Sequence, residues 1–309
     1  MNEITSLAPA SPHAQAIFHL WMIALAIFGL IFVSVAGLVV YSLMKYRWRE
    51  GDPDPEQVPG QRTAEIVWTA IPLGIVILLF VLTVKTMGVS DPAPAPEPDL
   101  IVVGHQWWWE IRYPKSGVVT ANEIHIPTNQ PLSVRLDSAD VLHEFWVARL
   151  ARKMTTVPGH PNHIWLEADT PGVYLGSCSE FCGIEHAWMR FKVIAQAPAD
   201  YDAWTKAQLQ PSAPPVSAEA QRGRDVFMQM SCVNCHDIDG TPAHAHVGPD
   251  LTHLEARTQI GSGILDNTPE NLRNWLRDPQ SLKPGVEMPN FELTPQQLNA
   301  LTAYLETLQ

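Results

Sequence analysis

Two long apolar stretches open the chain, and much shorter apolar runs follow them. Residues 14–44 contain no Asp, Glu, Lys or Arg, and residues 66–84 are uncharged throughout. Because a helix needs about 20 residues to cross a bilayer core of about 30 Å, each stretch predicts a membrane-spanning helix. We expect a transmembrane helical hairpin over residues 1–90, with helices at about 14–44 and 66–88.

Residues 99–195 show short strand-like runs separated by glycine and proline turns. The runs are rich in β-branched and aromatic residues, which are typical of strands. About a hundred residues of such strands predict a small all-β sandwich or barrel. The clearest runs are residues 100–103, 132–136, 141–147, 164–167 and 173–175.

Two proline-rich segments separate these regions from their neighbours. The run D-P-A-P-A-P-E-P predicts a stiff, extended spacer over residues 91–98. A short helix predicted around residues 200–209 and the run P-S-A-P-P form a connecting segment over residues 196–216. Helical spacing then returns, with a closing helix around residues 298–308. We therefore expect residues 217–309 to form a small all-α domain.

The basic residues beside the apolar stretches predict how the hairpin is oriented. Lys45, Arg47, Arg49 and Arg62 lie in the loop between the stretches, whereas the first sixteen residues carry no lysine or arginine. By the positive-inside rule the loop faces the cytoplasm, and both ends of the hairpin emerge on the other side. The first stretch is a poor match to a signal peptide, because it lacks a basic n-region and exceeds the usual apolar length.

The overall charge excludes some classes of function. The formal net charge is −12, and no basic patch with interleaved aromatic residues is present, so nucleic acid is not an expected partner. No Ser-His-Asp pattern stands out, so nothing indicates a hydrolase. The chemistry of the chain is instead concentrated in two motifs with metal-ligating residues.

The first motif is C-S-E-F-C-G-I-E-H-A-W-M. It places Cys178 and Cys182 four positions apart, His186 four further on and Met189 three beyond that. Thiolate and thioether donors together with imidazole suit copper, whereas zinc is more often held by four Cys or His ligands. His143, in the apolar run V-L-H-E-F-W, is the best candidate for a second histidine ligand.

This ordering resembles the dinuclear copper (CuA) site of subunit II of the haem–copper oxidases, over roughly residues 15–200. The resemblance implies a cupredoxin-like domain whose copper loop joins the last two strands. It also implies that both cysteine sulfurs bridge the two coppers. The ligand set it implies is His143, Cys178, the backbone carbonyl of Glu180, Cys182, His186 and Met189.

The second motif, C-V-N-C-H, is the attachment run of a c-type haem. The thiols of Cys232 and Cys235 add to the porphyrin, and His236 then ligates the iron. Gly223 and Phe227 precede the motif at helical spacing, and the runs G-P-D-L and M-P follow it. These parts resemble a class I cytochrome c.

The resemblance to cytochrome c also bears on the sixth iron ligand. Met288 is the only methionine after the haem motif and is therefore the candidate. A Met/His pair raises the reduction potential, which suits an electron carrier. His244, His246 and His253 remain as alternatives, although each is more typical of a solvated loop. With two cysteines assigned to copper and two to haem, no disulfide is expected.

The aromatic run H-Q-W-W-W contains a further candidate residue. Strand alternation puts Trp107 and Trp109 on one face and Trp108 on the other, so we expect at least one of them to be exposed. The resemblance to subunit II implies that Trp107 is the surface electron relay between an incoming cytochrome and the copper. Simple packing is the alternative. We also hypothesise that the tethered haem domain docks near Trp107 and receives the external donor at its own exposed edge.

The same resemblance suggests two roles for carboxylates. Glu65, at the cytoplasmic end of the second apolar stretch, would help to admit protons to the oxidase, with an ordinary interfacial charge as an equally weighted alternative. The carboxylate of Glu180 would bind a magnesium ion shared with subunit I, because hard oxygen donors suit magnesium.

Together the patterns and resemblances imply a multi-domain chain: a two-helix hairpin, a cupredoxin-like all-β domain over residues 99–195 and an all-α class I cytochrome c domain. The resemblance implies subunit II of a caa-type haem–copper oxidase, crossing the bacterial inner membrane twice, with both metal domains on the periplasmic side. Electrons from a periplasmic donor, cytochrome c or another small redox protein, would reach haem c, then CuA, then subunit I, where dioxygen is reduced with proton pumping. The chain itself would hold no oxygen-reducing site.

Other classes fit the sequence less well. A CuA-containing subunit of a nitric oxide reductase shares much of this architecture, and only the partner subunit distinguishes it. A membrane-anchored electron carrier without a catalytic partner is a second alternative. The quinol oxidase branch lacks the copper ligands present here, and 309 residues leave no room for the catalytic domain of nitrous oxide reductase. In the oxidase interpretation, further membrane subunits would accompany subunit I.

Overall fold

The computed structural model describes residues 4–54, 57 and 59–309. Two compact units make up the chain: residues 15–92 form one, and the segment ending at Ala14 together with residues 93–309 forms the other. The predicted hairpin domain also includes residues 1–3, 55, 56 and 58, which lie outside the described residues.

Two long helices carry the apolar stretches. Helix α1 spans Pro12–Lys45 and α2 spans Arg62–Ser90, so both extend a few residues beyond the predicted limits. Each is long and apolar enough to cross a membrane. Large apolar side chains are exposed all along both helices, which is the surface that a lipid environment requires.

Ten strands build the predicted sandwich. They form two five-stranded sheets, in the orders β3-β2-β1-β5-β8 and β4-β10-β9-β6-β7. Side chains from both sheets share one hydrophobic core. The strands are β1 (Leu100–His105), β2 (Trp108–Arg112), β3 (Val119–Ala121), β4 (Glu123–Pro127), β5 (Leu132–Ser138), β6 (His143–Trp146), β7 (Met154–Thr156), β8 (Asn162–Leu166), β9 (Gly172–Cys178) and β10 (Arg190–Gln196).

An aromatic cluster forms the part of this core that lies next to the copper-loop residues. Trp109 is fully buried, and its ring centroid lies 5.8 Å from that of Phe145 and 5.4 Å from that of Phe191. A Cβ at Gly176 would lie 2.3 Å from the ring of Phe191, so only glycine fits beneath that ring. The cluster therefore fixes the ends of β9 and β10, the strands joined by the copper motif.

The C-terminal region is helical, as predicted. It contains a second hydrophobic core of its own, built around Phe227, Leu301 and Tyr304. The segment that connects it to the sandwich includes α3 (Pro198–Gln208). The remaining elements are α4 (Ala218–Gln229), β11 (Gln259–Ile260), β12 (Leu265–Asp266), α5 (Pro269–Arg277), α6 (Pro279–Leu282) and α7 (Pro295–Leu305).

Local signals explain where several elements begin. Helix α7 starts earlier than predicted because Thr294 and Gln297 form a capping box. Strand β6 starts later than predicted, because Val141 and Leu142 lie in an exposed turn. Strand β9 is longer than predicted and runs to Cys178, so it delivers the first cysteine of the copper motif.

The expectation that at least one tryptophan of the H-Q-W-W-W run is exposed was wrong. Trp107 belongs to the turn between β1 and β2, so strand alternation does not extend to it. Trp108 and Trp109 are 7% and 0% exposed, and Trp107 is half-buried. The reason is that the C-terminal domain covers this turn, which the sequence of the strand alone does not reveal.

The crossing of α4 and α7 requires a glycine. A Cβ at Gly223 would lie 1.9 Å from the carbonyl oxygen of Ala300, so the two backbones touch only because residue 223 has no side chain. We expect Gly223→Ala to destabilise the C-terminal domain by about 1–3 kcal/mol or more through overpacking. The exposed Arg224→Ala on the same helix is the control, and thermal unfolding of the purified chain followed by circular dichroism measures both. Equal stability of the two variants would contradict this account of the crossing.

Candidate metal centre

The copper motif occupies the connection between β9 and β10. Cys178 is the last residue of β9, and Met189 immediately precedes β10. Between them a short 3₁₀ helix, His186–Trp188, turns His186 back toward the cysteines. Gly183 has a φ of +123°, and a Cβ there would lie 2.8 Å from the ring of Trp107, so this loop position needs glycine on both counts.

The loop gathers the predicted ligand atoms in one place. The two cysteine sulfurs are 3.8 Å apart, and the sulfur of Cys182 lies 3.8 Å from Met189 Sδ and 3.7 Å from His186 Nδ1. The carbonyl oxygen of Glu180 is 3.2 Å from the sulfur of Cys178. Together these atoms form a cluster of sulfur, nitrogen and oxygen donors of the kind that suits copper.

His143 reaches the cluster from the neighbouring strand. Strand β6 pairs with β9, and ligand atoms of His143, Cys178 and Cys182 lie within 4.8 Å of one another. His143 is fully buried, with Nε2 at 2.7 Å from Asp140 and with Nδ1 lacking a hydrogen-bond partner among the described residues. A buried nitrogen without a partner, oriented by a carboxylate on the opposite side of the ring, is what a metal-ligating histidine requires.

The electrostatics of the cluster favour a thiolate. The hydrogen bond with Cys182 lowers the pKa of Cys178 to about 4, and the same contact raises the pKa of Cys182 above its usual value. Burial lowers the pKa of His143, but Asp140 and Cys178 outweigh it and leave the pKa raised. The surroundings thus stabilise negative charge on the sulfur of Cys178, and a deprotonated sulfur is the state in which cysteine ligates a metal.

The haem motif faces a cavity lined mainly by the C-terminal domain and partly by the β1–β2 turn of the sandwich. Cys232, Cys235, His236 and Met288 all line this cavity, together with apolar side chains that include Phe227. These residues fit a haem attached through two thiols between a histidine and a methionine. His244, His246 and His253 do not line it.

The orientation of His236 supports this fit. Its Nδ1 donates a hydrogen bond to the carbonyl oxygen of Pro249 at 2.7 Å, which leaves Nε2 available as a ligand. Burial lowers the pKa of His236 and favours the neutral imidazole. A Cβ at Gly248 would lie 2.6 Å from the imidazole ring, so the backbone packs directly against the histidine.

The three alternative histidines have other surroundings. His253 is buried, and its Nδ1 bonds to the carbonyl oxygen of Gln309 at 2.7 Å. His244 and His246 are largely exposed beside the carboxylate of Asp237. None is positioned on the cavity wall, so Met288 is the sixth-ligand candidate that the geometry supports.

Trp107 lies between the copper loop and the haem cavity. Its indole N–H donates to the carbonyl oxygen of Cys182 at 3.0 Å, and the side-chain amide of Gln106 donates to the same oxygen at 2.7 Å. Trp107 also lines the haem cavity. One residue thus contacts a cysteine of the copper motif and forms part of the wall of the haem cavity.

The two carboxylates predicted to have a role lie outside this cluster of donors. Glu65 is exposed in the first turn of α2, in the other compact unit. The side chain of Glu180 is exposed, while its carbonyl oxygen faces Cys178. An exposed carboxylate next to the copper loop is free to reach a ligand outside this chain.

Three residues around the site do not stand out in the sequence. Asp140 orients His143, and the pair Lys283 and Glu185 lies buried where the C-terminal domain meets the copper loop. Burial lowers the pKa of Lys283 to about 8, while Glu185 opposes the shift. One signal was available, because Lys283 is the only lysine in residues 217–309.

Comparison with known proteins gives consistent matches along the whole chain. Residues 4–86 match the family model described as "Cytochrome C oxidase subunit II, transmembrane domain". Residues 116–196 match "Cytochrome C oxidase subunit II, periplasmic domain". Residues 220–309 match "Cytochrome c".

Individual relatives extend these matches. Cytochrome c oxidase subunit 2 of Alkalihalophilus pseudofirmus is 40% identical over 316 residues, covering 100% of this chain and 92% of that protein. The subunit 2 of Bacillus sp. strain PS3 is 34% identical over 327 residues, covering 99% and 92%. The crystal structure of the periplasmic domain of cytochrome oxidase subunit II (CoxB) of Bradyrhizobium japonicum is 26% identical with a TM-score of 0.34, covering 37% of this chain and 95% of that one.

The role of Asp140 in the copper cluster can be tested by substitution. Asp140→Ala removes the acceptor that orients His143, and we expect copper affinity to fall about 10–100-fold, as for other residues that hydrogen-bond to metal ligands. Competition with a chelator, followed by the copper absorbance, measures the affinity. Asp137→Ala is the matched control. It removes a carboxylate that pairs with Arg135 on the same strand, β5. Equal affinities in the two variants would refute the proposed role of Asp140.

Proposed function

Because this chain belongs to the cytochrome c oxidase subunit 2 family, it carries electrons to subunit I of a haem–copper oxidase, and we propose that its own residues hold both carriers. The chain is part of an oxidoreductase complex, and its two apolar helices make it a two-pass membrane protein. The main observation behind the proposal is that Trp107 lies between the copper-loop ligands and the residues that line the haem cavity.

The copper site would be held by the residues already gathered on the β9–β10 loop. When bound, CuA and haem c supply one-electron carriers. Cys178 and Cys182 would hold the copper through their sulfurs, and the remaining ligand atoms would complete the set. The short contacts among these side chains support this set, which is His143, the Glu180 carbonyl, His186 and Met189 in addition to the cysteines.

The haem would be held by Cys232, Cys235, His236 and Met288. The hydrogen bond from His236 to Pro249 fixes the orientation of the ring and leaves Nε2 available as a ligand. The apolar cavity wall and a methionine ligand would both raise the reduction potential of a haem bound there. An elevated potential suits a carrier that accepts electrons from a soluble donor.

Trp107 would connect the two sites electronically. Trp107 lines the haem cavity, and its indole N–H donates to the backbone carbonyl of Cys182. A bonded path of this kind couples two sites better than a solvent gap. The haem of the tethered C-terminal domain would reach the copper loop without diffusional docking, because a short linker keeps the effective concentration of that domain at about millimolar.

The partners follow from the family and from the charges. Subunit I receives the electrons, and we propose a periplasmic donor, cytochrome c or another small redox protein. The C-terminal domain carries twelve Asp or Glu against six Lys or Arg over residues 217–309, which favours a basic or neutral donor. We also propose further membrane subunits and a location in the bacterial inner membrane, with both metal domains on the periplasmic side.

Two carboxylate roles are part of the proposal. The exposed side chain of Glu180 would contribute to a magnesium site shared with subunit I, because a carboxylate oxygen is a suitable ligand for magnesium. Glu65, at the start of α2 beside Arg62, would help to admit protons from the cytoplasmic side. Both roles depend on groups from subunit I.

Optical spectra of the purified complex test the proposed function. We expect a c-type band and a-type haem bands after dithionite reduction, a near-infrared copper band in the air-oxidised sample, and rapid dioxygen consumption. Cys182→Ser should lose the near-infrared band and keep the c-type band, whereas Cys235→Ser should weaken covalent haem attachment and keep the copper. A complex with b-type haem alone that consumes nitric oxide faster than dioxygen would instead indicate a nitric oxide reductase.

The relay role of Trp107 is tested by following electron transfer from haem c to copper after rapid reduction of the haem. Trp107→Leu removes both the aromatic ring and the hydrogen bond to Cys182, so we expect slower transfer with unchanged spectra of the two sites. Trp188→Leu, at an exposed tryptophan of the same copper loop, is the control. Equal transfer rates in the two variants would favour a packing role for Trp107.

A further inference from the structure

The boundary between the cupredoxin-like domain and the cytochrome c domain contains a buried ion pair. Lys283, from the segment after α6, is 1% exposed and lies 3.7 Å from the carboxylate of Glu185, which is 2% exposed. Glu185 belongs to the copper loop, between Cys182 and His186. Each charge therefore comes from a different domain, and each is buried by the other domain.

The same lysine also contacts the backbone of Trp107. Its ammonium donates to the Trp107 carbonyl oxygen at 3.3 Å, and the hydroxyl of Ser262 donates to that oxygen at 2.7 Å. Trp107 is thus bonded to the cytochrome c domain through its carbonyl and to Cys182 through its indole N–H. Lys283 thus makes a charged contact to the copper loop and a hydrogen bond to the relay candidate.

A buried charge is costly unless it is paired, so this arrangement constrains the interface. Removing one partner of a buried pair leaves the other charge uncompensated in a site with little water. Separation of the domains would return both groups to water. While the domains are docked, each buried group has the other as its charged partner, so the docked arrangement depends on their mutual contact.

A second polar contact joins the same two domains elsewhere on the boundary. The carboxylate of Glu123 accepts hydrogen bonds from the backbone and hydroxyl of Thr258 and from the backbone of Gln259, and it pairs with Lys192 at 3.2 Å. Glu123 and Lys192 are both buried strand residues of the sandwich. Two contacts at separate points of the boundary fix the orientation of one domain relative to the other as well as the distance between them.

We propose that Lys283 is a positioning residue, which docks the cytochrome c domain on the copper loop and holds Trp107 against the haem cavity. The proposal rests on the proposed function, because it concerns the step in which one electron leaves reduced haem c and reduces oxidised CuA. Lys283 also lines the haem cavity, but its polar contacts are to Glu185 and to the carbonyl of Trp107, and we assign its role to those two contacts.

The first measurement is hydrogen exchange by mass spectrometry on the full chain in its complex, with Lys283→Met and Glu185→Gln. Each variant removes one partner from a different domain, so the test stands even if one of them fails to fold. We expect protection of residues 105–109 and 182–186 to fall about 30-fold or more, because truncating one partner of a buried charge pair weakens docking by that factor. Arg277→Met removes the same charge from an exposed position of the cytochrome c domain and should leave protection unchanged.

The second measurement is the rate of electron transfer from haem c to copper in the same samples. We expect slower transfer in Lys283→Met and Glu185→Gln, with the copper and haem spectra unchanged. The double variant Lys283→Met, Glu185→Met should recover part of the protection, since no uncompensated charge then remains at the boundary.

Two results would overturn the proposal. Unchanged protection in both single variants would show that the pair does not hold the domains together. A slower rate accompanied by altered copper or haem spectra would assign Lys283 to the integrity of a metal site. Failure of the proposed function gives a different result, namely no transfer from haem c to copper in the unaltered complex, while the exchange measurement still reports on docking.

Discussion

The hydrogen bond from the indole of Trp107 to the carbonyl oxygen of Cys182 is the contact on which the rest of this architecture depends. It requires the copper loop to approach the β1–β2 turn so closely that residue 183 must be glycine. It also requires the turn to face the cytochrome c domain rather than solvent. The aromatic cluster around Trp109 holds the turn and the loop in place from below.

The sequence was most informative where chemistry depends on short spacing. The intervals within C-S-E-F-C-G-I-E-H-A-W-M bring four side chains together through one loop and one 3₁₀ turn, so the pattern predicts the cluster without knowledge of the fold. The haem motif is equally local. The alternating and apolar runs likewise predicted the class of each domain. An element that is apolar on one face shows a periodic pattern, and an element that is apolar on all faces shows a continuous apolar run.

Most of the features that the sequence did not reveal are made by residues far apart in the chain, and Asp140, three residues from His143, is the local exception. Trp107 is covered by Ser262 and Lys283, more than 150 residues away, so alternation within one strand had no means of predicting its burial. Asp140 was missed because its role depends on a turn that brings its carboxylate back to His143. Lys283 was distinguishable only by its rarity, since a single lysine in an acidic domain does not by itself indicate a partner.

The use of buried charges at the domain boundary has a physical rationale. An apolar boundary would hold the domains together as well or better, but it would tolerate several orientations, whereas a buried ion pair is compensated only in one. Electron transfer between two fixed sites depends on orientation and distance more than on affinity. A proline-rich tether already keeps the domains near each other, so the contribution left for Lys283, Glu185 and Glu123 is to select the arrangement in which Trp107 touches both sites.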